Sequence, residues 1–248
     1  MISIRGLKKQ LGEKQVLNGV DLDIPLGRTV VIMGRSGTGK SVLLKHIIGL
    51  MKPDGGSVEV DGTNVVGLKE TELDEVRKRF GMLFQGGALF DSMTVGENVG
   101  LPLKEHTDLA DDEIARRVTE RLEWVGLQGV EETKPASLSG GMRKRVGLAR
   151  AIAMDPAYIL YDEPTTGLDP IMADVINRLI RSLQSRIGVT SVVVTHDMSS
   201  AYHVGDVLAM LHEGRVVFTG TPDEARNTKD PLVRQFIEGS SEGPIKPL

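Results

Sequence analysis

Hydrophobic and polar positions alternate over the first two dozen residues. "MISIRGL" and "VLNGVDLDI" both repeat with the strand period, and turn residues separate them. "RTVVIM" (28–33) is instead a continuous apolar, β-branched run, which predicts a buried strand of a parallel sheet. A glycine loop follows, and then "SVLLKHIIGL" with helical spacing. "MKPDGGSVEVDGTNV" predicts a small hairpin with tight turns, and "KETELDEVRKRF" a helix ahead of the apolar run "GMLFQ" (81–85).

After Gln85 the character changes. Residues 86 to 157 lack β-branched runs and carry helical signals. In "DDEIARRVTERLEWVGL", Ile114, Val118, Leu122 and Val125 form one apolar stripe, with acidic residues in the first turn. The helix opening at "SGG" adds Val146, Leu148, Ala149 and Ile152 before "DP" ends it. Strand character returns at "AYILYDE" (157–163) and "TSVVVTH" (190–196), alternating with helical "ADVINRLIRSLQSRI"; "VLAML" and "RVVFTG" close the pattern. "DPLVRQFIEGSSEGPIKPL" starts as a short helix and ends in a Gly/Ser/Pro tail. The pattern predicts an α/β fold without internal repeats. Residues 1–85 and 158–228 form a nucleotide-binding core with a β subdomain, 86–157 a helical subdomain, and 229–248 a C-terminal tail.

Composition narrows the partners. At 248 residues, 40% hydrophobic and 26% charged, the chain reads as one ordinary globular domain. A net charge of −4 gives nucleic-acid binding no electrostatic support. Absent cysteines exclude disulfides and thiolate metal sites. No apolar run is long enough to span a bilayer and the opening residues lack a signal-peptide core, so the expected location is the cytoplasm and any membrane role runs through partner proteins.

Five places carry candidate chemistry. "GRSGTGKS" (34–41) matches G-x-x-x-x-G-K-[ST] at Gly34, Gly39, Lys40 and Ser41, between a strand and a helix. Glycines let backbone N–H groups turn toward phosphates, and the helix start adds positive potential. Lys40 is expected to reach the β- and γ-phosphates and the Ser41 hydroxyl to ligate Mg²⁺. A plain glycine turn is the alternative, and it does not require the lysine and serine. In "YILYDE" a buried strand ends in two acids; Asp162 suits Mg²⁺ through a bound water and Glu163 suits a general base. Alone, such a pair is common; it gains meaning beside a phosphate loop. His196 ends "SVVVTH" at the strand edge where ligands collect, which suggests a γ-phosphate contact over a structural role. Gln85 closes "GMLFQ" in the same manner and suits orienting water or Mg²⁺, although alone it reads as a surface amide.

The stretch "SLSGGMRKR" (137–145) resembles a second phosphate cradle. It offers the Ser139 hydroxyl and the Gly140 and Gly141 N–H groups at a helix start, without a lysine placed like Lys40. By itself it reads more readily as a serine N-cap on a basic helix.

Phosphate loop, acidic pair, terminal histidine and serine–glycine helix start occur together and in this order. The set resembles the ATPase subunits of ABC transporters over nearly all of residues 1 to 225. The resemblance implies ATP bound by Gly34, Arg35, Ser36, Gly37, Thr38, Gly39, Lys40, Ser41 and Val42, with Leu11 and Val16 at the base. It implies Mg²⁺ held by Ser41, Gln85 and Asp162, and catalysis by Glu163, His196 and Gln85. It also implies a head-to-tail homodimer in which Ser139, Gly140, Gly141 and Asp169 meet the ATP of the other copy. Gln85 would link the nucleotide to a membrane permease, whose coupling helix would dock on 86–103. Two departures stand out. Met142 occupies a position where the family usually has Gln, and no aromatic residue lies near position 11 to stack on adenine. Loss of that stack costs roughly 1 kcal/mol and weakens the choice of ATP over GTP.

"MLFQGGALFDSMTVGENVGLPLKEHT", "LSGGMRKRVGLARAIAMDP" and "DPLVRQFIEGSSEGP" are most similar to the ATPases of MCE-associated lipid transporters of the Mla type. That likeness implies phospholipid movement between bacterial membranes through a permease and an MCE-type lipid-binding protein. The ATPase would sit at the cytoplasmic face of the inner membrane. A polar-solute importer is the alternative within the class. A non-transport ABC ATPase would need a coiled-coil insertion or a second cassette, and a GTPase an Asn-Lys-x-Asp motif; the chain has none of these.

Overall fold

The computed structural model describes residues 1–246, so the last two positions of the expected tail lie outside the described residues. The chain divides into two compact units, Met1–Leu73 with Val192–Leu248, and Asp74–Ser191.

In the first unit the alternating start becomes an antiparallel sheet. Strand β1 (Ile2–Leu11) pairs with β2 (Lys14–Ile24) on one side and β4 (Gly55–Val60) on the other, and β4 pairs with β5 (Thr63–Asn64). The register explains the alternation. Ile2 stands between Ile24 and Val60, and Ile4 between Leu22 and Val58, so one face is a buried aliphatic layer. Asp61 and Gly62 turn the β4–β5 hairpin with φ of 48° and 81°, as a tight primed turn requires.

The continuous apolar run is β3 (Thr29–Met33), buried at all five positions. It pairs in parallel with β9 (Val207–His212), and β9 pairs antiparallel with β10 (Arg215–Gly220). The end of β8 (Thr190–Thr195) lies on the other side of β3. Helix α1 (Lys40–Ile47) follows the glycine loop. Short helices α7 (Met198–Val204) and α8 (Pro222–Asn227) were not expected from the pattern, and α9 (Pro231–Glu238) was. The expected tail folds back: Gln235 Nε2 donates to the Ile245 carbonyl at 2.9 Å and its Oε1 accepts the Ile245 N–H at 2.6 Å.

Helix α2 (Glu70–Arg77) runs across the boundary into the second unit. There β6 (Phe80–Leu83) pairs in parallel with β7 (Tyr158–Asp162), Phe80 opposite Tyr158 and Leu83 opposite Tyr161. The helical stretch forms α3 (Val95–His106), α4 (Asp111–Trp124) and α5 (Gly140–Ala151), and α6 (Pro170–Ile187) follows β7. Thr94 and Glu97 cap α3 reciprocally, which fixes where the helical region begins. Val118, Leu122 and Val125 of the expected stripe are buried, and Ile114 is half-buried.

Close approach of β6 to the end of α5 sets a hard limit. A Cβ on Gly81 would lie 2.0 Å from the Ala151 carbonyl oxygen, a backbone atom that cannot rotate away. Gly81→Ala is therefore expected to destabilise by about 2–3 kcal/mol and lower the melting temperature by roughly 5–10 °C. Gly86→Ala, where a Cβ meets nothing within 4 Å, should melt like the native protein. Calorimetry of the two variants checks the contrast.

Candidate functional site

The first unit holds the phosphate loop and His196. Lys40 opens α1 and is only 5% exposed. A buried ammonium needs acceptors, and Nζ donates to the carbonyls of Gly34 at 2.8 Å and Arg35 at 3.0 Å. The Thr38 hydroxyl donates to the same Arg35 carbonyl at 2.9 Å and closes the loop. Glycine is required at two points. A Cβ on Gly34 would sit 2.5 Å from the Leu211 carbonyl oxygen, and one on Gly39 would sit 2.8 Å from Val16 Cγ1. Gly39 is also the α1 N-cap, with φ 102° and no side-chain cap, so no side-chain acceptor there competes with an anion. At Gly37 (φ 76°) a Cβ would meet open space. Ser36 and Gly37 are exposed, while Arg35, Ser41 and Val42 are half-buried.

The two residues expected at the base differ in setting. Val16 is 8% exposed and presses on Gly39, whereas Leu11 is 41% exposed at the end of β1. Lys14, which the sequence did not single out, donates from Nζ to the Gly37 carbonyl at 3.2 Å. Arg35 Nη1 donates to the Lys246 carbonyl at 2.8 Å, so the tail meets the loop. His196 is exposed and follows directly on the buried end of β8 at Thr195.

The second unit holds the remaining candidates. Asp162 ends β7 half-buried, and Glu163 follows it, buried, with φ 50°. Positive φ is uncommon for a residue with a side chain and marks a backbone held by its surroundings. Thr166 Oγ1 donates to Glu163 Oε2 at 3.0 Å. Lys144 Nζ donates to the carbonyls of Glu163 at 3.3 Å, Pro164 at 2.7 Å and Thr166 at 2.8 Å. Burial pushes the Lys144 ammonium below its ordinary pKa, and the charge of Glu163 pulls it back up. Lys144 was also missed from sequence. It sits between Gly141 and Leu148 on the buried face of α5, where a lysine read from sequence alone passes for a solvated charge.

Gln85 lies two residues past β6, exposed in a turn, and not at a strand end. The loop after it is pinned by Arg150, which donates to the carbonyls of Gly87 and Ala88 at 2.8 Å each. Ser139 caps α5 by accepting the Met142 N–H at 3.2 Å. Ser139 and Gly140 are exposed, but Gly141 is buried, and a Cβ there would sit 2.6 Å from Met172 Cε. Asp169 caps α6 by accepting the N–H groups of Ile171 and Met172 at 3.0 Å each. A cavity of about 590 Å³ opens between α3 and α4, lined by Met93, Leu101, Lys104, Ile114, Ala115 and neighbouring residues. Among the described residues no helix is long and apolar enough to cross a membrane.

Comparison with known proteins identifies the family. The family model described as "ABC transporter" matches residues 17–166. The "Probable ribonucleotide transport ATP-binding protein mkl" of Mycobacterium leprae is 45% identical over 98% of this chain and 70% of its own length. The "Intermembrane phospholipid transport system ATP-binding protein MlaF" of Haemophilus influenzae is 41% identical over 99% of this chain and 93% of its own. Among solved structures, a dimeric post-hydrolysis state of the ATP-binding cassette MJ0796 with ADP and Pi matches at TM-score 0.83 and 36% identity. That match covers 90% of this chain and 99% of the other. A glycine loop closed by a buried lysine, an acidic pair and a serine-capped helix thus occur in a chain whose matched segment spans more than half its length. The chain belongs to the ABC transporter family and is one of its ATP-hydrolysing cassettes.

Proposed function

We propose that the protein is the motor of a phospholipid transporter between bacterial membranes, working as a head-to-tail homodimer on the cytoplasmic face of the inner membrane beneath a permease and an MCE-type protein. The observation that carries this reading is the likeness to MlaF, which extends over 99% of this chain and 93% of the relative. The mycobacterial relative named for ribonucleotide transport is slightly more identical, but the match covers 70% of its length. The α3–α4 cavity overlaps the 86–103 segment expected to receive a coupling helix.

In this reading Lys40 exchanges the Gly34 and Arg35 carbonyls for phosphate oxygens, which are stronger acceptors. The first-turn N–H groups of α1 add their dipoles. Among the described residues no three His, Cys, Asp or Glu gather as a metal site. Mg²⁺ keeps water and phosphate oxygens among its ligands and takes few from protein. Ser41, Gln85 and Asp162 would supply those few, and bound Mg²⁺ would neutralise charge developing on the phosphates. Glu163 takes the proton of the attacking water, His196 contacts the γ-phosphate, and Gln85 reports the state of the site to the permease. Ser139 and Gly140 are exposed at the start of α5 and cover the partner copy's ATP, with Asp169 at the seam.

Glu163→Gln should bind ATP, hydrolyse it about 10²–10⁴-fold more slowly and accumulate as a dimer in size-exclusion chromatography. Near-normal turnover without an ATP-dependent dimer would remove Glu163 as base. Ser139→Arg and Lys40→Ala, each inactive alone, should regain activity when mixed, because one composite site of the mixed dimer is intact; mixed dimers without activity would exclude shared sites. Co-purification from native membrane tests the cargo. Recovery of a permease with an MCE protein supports phospholipid, and an amino-acid or nucleotide permease overturns it.

A further inference from the structure

Lys144 occupies a core-facing position of α5, among Gly141, Val146, Gly147 and Leu148, and is 5% exposed. An ammonium has three hydrogens and no acceptor, and here its three bonds all go to carbonyls of one segment, Glu163 to Thr166. None of the three acceptors belongs to α5. The segment is a turn that the backbone does not favour unaided, because Glu163 stands at φ 50° with a full side chain. Its own closing bond, from the Thr166 N–H to the Glu163 carbonyl, is long at 3.3 Å. The cationic donor at 2.7 and 2.8 Å from the next carbonyls is the tighter clamp. Thr166, fixed through its carbonyl, then turns its hydroxyl onto Glu163 Oε2 at 3.0 Å. A continuous chain of contacts therefore runs from Lys144 Nζ through the turn to the carboxylate.

We propose that Lys144 is a positioning residue for ATP hydrolysis, fixing from α5 the turn that aims the Glu163 carboxylate. The proposal rests on the reading of Glu163 as general base. It assigns α5 two tasks. The helix begins at Ser139, which would cover the partner's nucleotide, and five residues later, about 7 Å along its axis, it holds the base of its own chain. Movement of α5 against a partner's phosphate would be felt directly at Glu163.

The test is a double-mutant cycle on the dimer, read by steady-state ATP hydrolysis for kcat and KM and, for the slow Glu163→Gln variants, by single-turnover hydrolysis of radiolabelled ATP. Lys144→Met is expected to lower kcat about 10–10²-fold with the KM for ATP unchanged, since misplacing a catalytic group slows chemistry without weakening nucleotide binding. Lys144→Gln keeps two shorter N–H donors and should retain a larger share of the rate; it also carries the test if the Met variant does not melt cooperatively. In a Glu163→Gln background the same changes should cost little further rate, because a residue that acts through Glu163 has nothing left to position. Native-like kcat in both Lys144 variants, with Glu163→Gln slow, overturns the proposal and leaves the base intact. An equal, additive loss in the Glu163→Gln background also overturns it, placing Lys144 elsewhere in the machinery. Near-normal hydrolysis by Glu163→Gln removes the base, and the proposal with it.

Discussion

Two lysines, Lys40 and Lys144, are each 5% exposed, and the two chemically important loops are shaped by the need of their ammonium groups for acceptors. Leaving either charge without acceptors would cost several kcal/mol. In the first unit the chain after β3 curls so that the Gly34 and Arg35 carbonyls face Lys40. In the second, the chain after β7 curls so that the carbonyls of Glu163, Pro164 and Thr166 face Lys144. Both loops then need backbone angles that ordinary residues avoid. Glycine supplies them in the first loop, at Gly37 and Gly39; in the second, Glu163 carries the strain itself. A carboxylate is therefore tolerated at a left-handed position because a buried cation holds the turn around it.

The elements most legible in the sequence were those whose burial repeats simply. Alternation in β1 and β2 survives as a buried layer because both strands pair across one face, and the β3 run is buried at every position. Helices α7 and α8 were missed. Each is only seven or six residues long, capped by Asp197 or Thr221, and too short to show a helical period. The pattern also carried Gln85 and His196 as strand ends, whereas β6 stops at Leu83 and β8 at Thr195. Main-chain pairing decides where a strand stops, and side-chain polarity does not report it. The candidate site was legible where a motif fixes residue types, as at Gly34, Gly39, Lys40 and Ser41. It was illegible at Lys14 and Lys144, since lysine in sequence reads as a solvated charge, and only packing reveals that one of these two is buried.

The missing aromatic near position 11 acquires a physical setting. Val16, only 8% exposed, presents little surface to a base. Leu11, at 41% exposed, is the apolar surface left for a base. An aliphatic contact has no π-face and no polar edge to read, so it favours any flat heterocycle about equally. On the proposed reading affinity would then come mainly from the phosphate end, where Lys40 and the α1 N-terminus would supply charge and dipole.

This division bears on what relatedness says about cargo. Relatives named for ribonucleotide and for phospholipid transport lie at 45% and 41% identity to the same chain. A cassette whose chemistry is concentrated on phosphates is constrained alike in both, because on the proposed reading its glycine loop, acidic pair and α5 start would act on nucleotide and not on the transported molecule. Cargo leaves its mark only where the cassette meets other subunits. In this chain that directs attention to the segment from Gln85 through α3. There Arg150 pins the carbonyls of Gly87 and Ala88 to α5, the same helix whose Lys144 grips the Glu163 turn. On the reading proposed above, a partner pressing on that segment would push on a helix that also holds the Glu163 turn. Coupling between transport and hydrolysis would then need only one rigid element to shift, whatever the cargo.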